Sequence, residues 1–570
     1  MKVLLLHPED GLPGSDLRGQ YDLIVDFARA PLSTYERWSQ QAGCRVISLF
    51  DFADGFEDVY RVRDLLRLGM GYMVDEWGVD WWDVLSLLIE PDLLKTLMME
   101  RLAKELTDCK LSSSRNDGWV GGLHALTGGE LKVLGSLAVF QRIRHYHEVL
   151  GQLNVRQISQ VIEDKFDGQH RFRRRIAKRR RSSRTPVVLL PSAYINVSRT
   201  AAGYASLLPD QKFLLVYSRS SGKLRNTPAN VEMVSFDRYC TAMNDNGFNS
   251  LHKRWTILRS HLVSIASEFR LTNAAGVFSR IPSLLRWGIA LRNGWNLVFD
   301  SENVVACLSA DDTNPHTRIP IILAKHRGIP TVACHHGALD YRMALKKNHA
   351  DSYLVKDAME REYLSRMCRL SPRTMIEGNA RYIENAKIGQ SSVEPCLTYF
   401  SEPYQTDGWR VDEVYRDLLP RLWKLSQSCG LKLVLKLHPF ESRKAHTKYL
   451  RRHLRDHLNE VTIVSGTVPV ELWQRTHIAL TVESTIALDC AARGIPVFFC
   501  AWLGTPHSGY IDQFAKFGVG EVLQSADDLD DVRNFLVSHK RARRGPQRRE
   551  IDRETLRNIL YGRKLAVAAG

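Results

Sequence analysis

The chain has 570 residues, 44% of them hydrophobic and 25% charged, and 79 Lys and Arg against 63 Asp and Glu leave a formal charge of +16. That composition is globular and the length exceeds one core, so two α/β domains with an insertion are expected. No apolar run reaches the roughly 18 residues a membrane span needs, and the ten scattered cysteines form no Cys-x-x-Cys pair, which argues against a thiolate metal site and for buried reduced thiols in the cytoplasm.

Lys2–Leu6, Asp22–Val25 and Arg45–Phe50 read as short buried strands, and the Met1–Leu6 run meets His7-Pro8-Glu9-Asp10 as a strand meets its loop, not as a secretory leader. From about 51 to 153 the pattern turns helical, with Trp77, Trp81, Leu85, Leu88 and Ile89 at helical spacing, so a helical insertion is expected there. Its Trp77, Trp81 and Trp82 fit either a helical core or a membrane-interface contact. A basic linker follows at about 165–186, where Arg171–Arg184 holds eight Arg and one Lys and no acid; Lys540–Arg549 is a second basic block. Such runs are solvated segments or attract an anionic membrane surface on the inner face of the plasma membrane. Nucleic acid is not expected, because the runs lack interleaved aromatics apart from Phe172.

Alternation of strands and helices returns with Val187–Leu190, Phe213–Tyr217, Val304–Leu308, Thr331–Cys334, Ser352–Val355 and Met375–Ile376. After a linker at Gly389–Glu394 a second such series runs through Cys396–Phe400, Leu431–Leu437, Val461–Val464, Ile478–Val482 and Val497–Cys500, and Ile551–Tyr561 reads as a closing helix that packs back on the first domain. The expected organisation is a first Rossmann-like domain over 1–385, a second over 386–545 and a helix and tail over 546–570. Two parallel-sheet domains facing a cleft make the GT-B architecture. Neither a Gly-x-Gly-x-x-Gly turn nor a phosphate loop is present, which disfavours a dinucleotide.

Polar motifs sit where the apolar runs end. Lys436-Leu437-His438-Pro439 follows one strand, and Glu483-Ser484-Thr485 follows another and opens a helix that stops at Gly494 and Pro496. In an open α/β sheet ligands bind outside the carboxyl ends of the strands. His438 and Lys436 offer phosphate donors there, Ser484 and Thr485 offer hydroxyls and free amides, and Glu402 after Cys396–Phe400 is placed to hold a ribose hydroxyl. Glu483 and Asp489 flank the Ser-Thr pair. His336 ends Thr331–Cys334 beside Gly337, which lets a ligand approach, and a neutral imidazole there accepts the proton of an attacking hydroxyl. Asp311-Asp312, beside Asn314 and Arg318, also ends a strand; it reads as base, acceptor contact or turn chemistry.

In order and spacing, His336-Gly337, Asp351, Gly378-Asn379-Ala380-Arg381, His438-Pro439 and Ser484-Thr485 with Asp489 resemble the bacterial CDP-glycerol glycerophosphotransferases and related capsule-polysaccharide and polysialic-acid transferases, over about Ile329–Cys500. The resemblance implies a metal-independent GT-B glycosyltransferase without cofactor. It would take a CMP-, CDP- or UDP-linked donor and serve a surface-polysaccharide or lipid-linked glycan acceptor. It carries the base to His336 and the donor-phosphate contacts to His438, Ser484 and Thr485. Where that group has Trp before His-Gly this chain has His335, which leaves the transferred unit open. Glu9-Asp10-Gly11 looks like the acidic motif of bacterial sialyltransferases, making Asp10, supported by Glu9, a second candidate base. Two rivals remain: a nucleotide-sugar 2-epimerase on the same scaffold, and a basic membrane- or nucleic-acid-binding protein on a decayed one.

Overall fold

The computed structural model describes residues 1–8, 10, 17–134, 182–239, 245–337, 349–380, 394–404, 407–438, 441–507, 509–538 and 546–562. Glu9, Arg381, Pro439 and the basic run Arg171–Arg184, apart from its last three residues, lie outside them.

Three separate sheets form, and every strand pair in them is parallel. The first contains β1 (Lys2–Leu6), β2 (Leu23–Asp26), β3 (Arg45–Ser48), β4 (Lys110–Ser113) and β5 (Glu130–Val133) in the order β3-β2-β1-β4-β5. The second is built from β6 (Ser183–Ser192), β7 (Phe213–Tyr217), β8 (Val231–Ser235), β9 (Glu302–Ser309), β10 (Thr331–Ala333), β11 (Ser352–Val355) and β12 (Met375–Glu377), ordered β12-β11-β10-β9-β6-β7-β8. The third comprises β13 (Cys396–Phe400), β14 (Lys432–Lys436), β15 (Val461–Val464), β16 (Thr476–Thr481), β17 (Val497–Cys500) and β18 (Glu521–Leu523), ordered β15-β14-β13-β16-β17-β18. Each sheet is wound outward from its middle, the doubly wound order that opens a crevice where the winding reverses. Those crevices lie at β1/β4, β6/β9 and β13/β16.

The fold is α/β with parallel Rossmann-like sheets, as the sequence predicts, but one feature differs. The first three strands do not open the second sheet. They pair with β4 and β5, which lie inside the segment expected to be a helical insertion. Those two strands read KLSS and ELKV; they are short, polar and near an edge, so they carry no hydrophobic alternation to betray them. The helical part is real: Gly55–Arg67 and Trp81–Glu105 are helices. Trp81 and Trp82 are fully buried in the core beneath the second sheet, and Trp77 packs against it. Their indole nitrogens are satisfied internally, Trp82 donating to the Leu66 carbonyl (2.7 Å) and Trp81 to Asp75 (2.8 Å). These two rings therefore form core, and not a membrane contact.

The second and third sheets meet through one apolar cluster that includes Tyr353, Met359 and Tyr363 on one side and Ala487, Leu488 and Phe514 on the other. The closing helix, Arg553–Leu560, returns to the second sheet as expected and buries Leu556, Ile559 and Leu560 in its core. The chain reaches that position by pairing with Asn379, whose N–H donates to the Arg549 carbonyl (2.8 Å) and whose carbonyl accepts from Ile551 N–H (3.0 Å). A side chain at Gly378 would put its Cβ 2.5 Å from Ile551 Cβ. Gly378 and Asn379 thus anchor this crossing.

The first sheet docks on the third by charge. Arg410 sends Nε and Nη2 to the two Asp26 oxygens (2.7 and 2.8 Å), and a third bond from Nη2 reaches the His7 carbonyl (3.0 Å). Both side chains are buried, at 7% and 0% exposure. Removing one partner of such a pair strands the other charge, at about 3–5 kcal/mol. Arg410→Ala is therefore expected to lower the midpoint of urea unfolding and speed proteolytic release of the N-terminal sheet; an unchanged midpoint would show that other contacts join the two sheets.

Candidate functional site

Because β14, β13 and β16 are adjacent and parallel, the loops carrying His438, Glu402 and Ser484-Thr485 leave one edge of the third sheet side by side. Glu402 takes the central place, at the β13/β16 crevice. It accepts from Thr481 Oγ1 (3.1 Å) and from the Glu483 N–H (3.3 Å). Burial, reinforced by the Glu483 charge, raises this carboxyl well above the ordinary range. Glu483 in turn accepts from Thr505 Oγ1 at 2.6 Å.

His438 is held by its backbone. Its N–H donates to Ser401 Oγ (3.0 Å) and toward Glu441 (3.3 Å), while Glu441 is gripped by Ser401, by Tyr415 and by His446 (3.3 Å). Burial lowers the imidazole to about 4, against the pull of Glu441 and with the push of Lys436. Lys436, itself buried, is lowered to about 8 by burial, with Glu441 opposing, and its Nζ donates to the Leu437 carbonyl at 2.7 Å. At pH 7 His438 is a neutral donor and Lys436 a cation. Glu441 lies three residues beyond His438 in the same loop, a spacing that could have marked it in the sequence.

Ser484 and Thr485 precede a helix of only seven residues, Ile486–Ala492, and Thr485 makes no side-chain cap. Neither hydroxyl has a hydrogen-bond partner among the described residues, and both are half-buried. Of the hydroxyls and free amides that the sequence offers here, the hydroxyls are open, while the helix that follows is short. Asp489 points along the helix to Arg493 (3.6 Å) and not back to the loop.

From the second sheet, Gly337 and Lys356 face Thr485 and Leu488 across a narrow, partly open pocket. His336 adjoins this wall. Burial lowers its imidazole, with Asp311 opposing and Lys356 adding to the effect, so it is neutral near pH 7. Asp311 holds its own turn, accepting from Thr313 N–H (2.8 Å), Thr313 Oγ1 (2.6 Å) and Asn314 Nδ2. Asp312 is fully buried behind it, where it accepts from Tyr353 (3.3 Å) and faces His335 (3.7 Å). Asn314 and Asp312 therefore support the loop. Asp351 binds Thr331 N–H (3.0 Å) and Oγ1 (2.8 Å) between β10 and β11.

Asp10 does not join this group. It stands at the β1/β4 crevice of the first sheet, accepting from His7 N–H (2.8 Å) and Ser114 Oγ (2.9 Å), and Arg410 reaches its carbonyl (3.2 Å). What the first sheet does contribute is Arg29, which sequence reasoning missed. Its guanidinium bonds the Gly504 carbonyl and stacks 4.0 Å from the Trp409 ring. Burial lowers it to about 10, against the charges of Glu483 and Asp407. Among the described residues no group of three or more His, Cys, Asp or Glu is placed to hold a metal ion, and no helix is long and apolar enough to cross a membrane.

The buried His438 gives a pH signature. The imidazole takes a proton below about pH 6.5 in the unfolded chain but only below about 4 in the folded one. Between those values the unfolded state binds more protons, so stability declines as pH falls from 6.5 toward 4. Replacing His438 by Gln is expected to flatten that part of the stability profile, and an NMR titration of the wild-type ring should find it neutral at pH 5. A ring that titrates near 6.5 would place it in open solvent.

No protein-family model matches the chain, and no curated protein does. Among solved structures it is similar to the UDP-GlcNAc 2-epimerase of Methanocaldococcus jannaschii, at 10% identity over 65% of this chain and 98% of that one, with a TM-score of 0.41. The UDP-N-acetylglucosamine 2-epimerase of Rickettsia bellii gives 11% identity over 64% and 88%, with a TM-score of 0.38. A variant of the wall teichoic acid polymerase TagF gives 11% over 70% and 93%, with a TM-score of 0.36.

Proposed function

We propose that the chain is a GT-B glycosyltransferase that takes a sugar or sugar-like unit from a nucleotide-activated donor and passes it to a surface-polysaccharide or lipid-linked glycan. The observation that carries this reading is the pocket between the second and third sheets, with neutral His336 beside one wall and the free Thr485 hydroxyl on the other. The donor lies along the edge of the third sheet. Lys436, neutral His438 and the Ser484 and Thr485 hydroxyls face its phosphates, and Glu402 and Glu483 face the ribose at the β13/β16 crevice.

In the transfer step the acceptor oxygen bonds to the activated carbon of the donor as that carbon's bond to the phosphate oxygen breaks. The electron pair leaves with the nucleotide, where Lys436 and the hydroxyls stabilise the growing charge. The acceptor proton passes to His336, which is neutral and so ready to receive it. Excluding water from the pocket protects the donor from hydrolysis.

One observation favours a second reading. Glu402 is a buried carboxyl, raised above the ordinary range by burial and by the neighbouring Glu483 charge, and such a pair of carboxyls in unlike surroundings also suits a nucleotide-sugar 2-epimerase. Product formation without any acceptor separates the two.

Purified protein given CMP-, CDP- and UDP-linked donors is expected to transfer or slowly hydrolyse one of them. His336→Ala should lower kcat by about 10²–10⁴-fold, the usual worth of a general base, while nucleotide affinity holds. Turnover equal to wild type would remove His336 from the chemistry.

A further inference from the structure

Two cations of the inter-sheet pocket have no role yet. Lys356 follows β11, and its side chain is 14% exposed; Arg548, 19% exposed, comes from the basic block Lys540–Arg549. The sequence reads that block as solvated or lipid-facing, yet Arg548 lines the pocket together with Lys356, Glu360 and Thr485.

The placement of Arg548 is fixed on both sides. Downstream, the chain pairs through Arg549 and Ile551 with Asn379, which makes the segment strand-like. Successive side chains then point to opposite faces, so Arg549 is exposed while Arg548 turns inward. At the pocket its Nε donates to Asp357 Oδ2 (3.2 Å), and Asp357, 1% exposed, uses its other oxygen to cap the helix Ala358–Arg366 at Glu360 N–H (2.9 Å). Only the Nε edge is occupied. Neither Nη atom has a hydrogen-bond partner among the described residues, although a guanidinium has five N–H donors to satisfy and Glu360 lies close enough to feel its charge.

Lys356 is similarly under-used. Its backbone N–H is held by Glu360 Oε2 (2.6 Å), while Nζ stands 4.0 Å from Glu360 Oε1 and makes no hydrogen bond. That Oε1 atom is itself buried without a hydrogen-bond partner. Burial raises the Glu360 carboxyl, with Lys356 and Arg548 opposing. The pocket thus concentrates two cations with unfilled donors and a third unfilled donor on Thr485.

We infer that Lys356 and Arg548 form an anion-binding wall that holds a phosphoryl group of the donor against Thr485, so that the substrate itself spans the second and third sheets. This rests on the reading of the pocket as a donor site. It also assigns the C-terminal crossing a task beyond packing, since the stretch that pairs with Asn379 delivers a guanidinium to the substrate. Arg548 sits far from the His-Pro and Ser-Thr motifs in sequence and belongs to neither sheet.

The test measures binding by calorimetry to full-length wild type, Lys356→Gln, Arg548→Gln and Arg548→Lys, with inorganic pyrophosphate, UDP, CDP and the nucleosides uridine and cytidine as probes. Wild type is expected to bind pyrophosphate and one of the diphosphates. Each Gln variant should weaken both by about 10- to 100-fold, the range for losing a hydrogen bond to a charged group. Nucleoside binding should be unchanged, and Arg548→Lys should recover part of the loss. Lys356→Gln leaves the Asp357 pair intact, so it stays informative if Arg548→Gln unfolds. Diphosphate affinity unaltered in Lys356→Gln overturns the inference and leaves the functional reading standing. Pyrophosphate binding that the variants lose, with no nucleotide bound by wild type, supports the wall and overturns the nucleotide donor. Failure of wild type to bind either anion overturns both.

Discussion

Parallel pairing puts the carboxyl ends of all strands in a sheet on one edge, and winding outward from the middle parts the covering loops there. The candidate chemistry of this protein depends on that constraint. Glu402, His438 and the Ser484-Thr485 pair come from segments some 40 residues apart, and they become neighbours because β14, β13 and β16 are adjacent and run the same way. The same rule in the second sheet sends the turn after β10, with Gly337 next to His336, and Lys356 from β11 toward the same pocket. A site assembled in this way needs no long loop, and its polar groups stand on rigid strands.

The first sheet adds a restraint on how the other two relate. Its helices pack beneath the second sheet in one continuous core, while Arg410, Arg29 and the Asp58–His507 contact (3.1 Å) tie it to the third. It is joined to both walls of the pocket at once. Large hinge motions would have to break buried charge pairs, so small adjustments at the pocket itself are the cheaper way to close over a ligand. Arg29 also places a positive charge near Glu483, beside the strand ends of the third sheet.

Much of this was legible in the sequence, and the limits have physical causes. Strands such as Cys396–Phe400 and Leu431–Leu437 announce themselves because both their faces are buried and must be apolar. Where such a run stops, a polar residue is exposed at a strand end, which is why His336, His438 and Glu402 were found. β4 and β5 escaped because near an edge the burial demand relaxes. Arg29, Lys356 and Arg548 escaped for another reason: their surroundings are set by what lies across an interface, and no local pattern in the chain records that. The Gly378-Asn379 pair was noticed for its resemblance, and the structure gives it the separate duty of seating the C-terminal crossing.

In the proposed function one ligand bridges the second and third sheets at their facing strand ends. Hydrogen–deuterium exchange on the full chain, with and without a saturating nucleoside diphosphate, tests it most directly. A bridging ligand slows exchange on both walls together, around residues 336–337 and 356–360 and around 402–404 and 483–488. Protection confined to the strand ends of the first sheet, near residues 7–10 and 113–114, or to a single wall of the pocket, would contradict it.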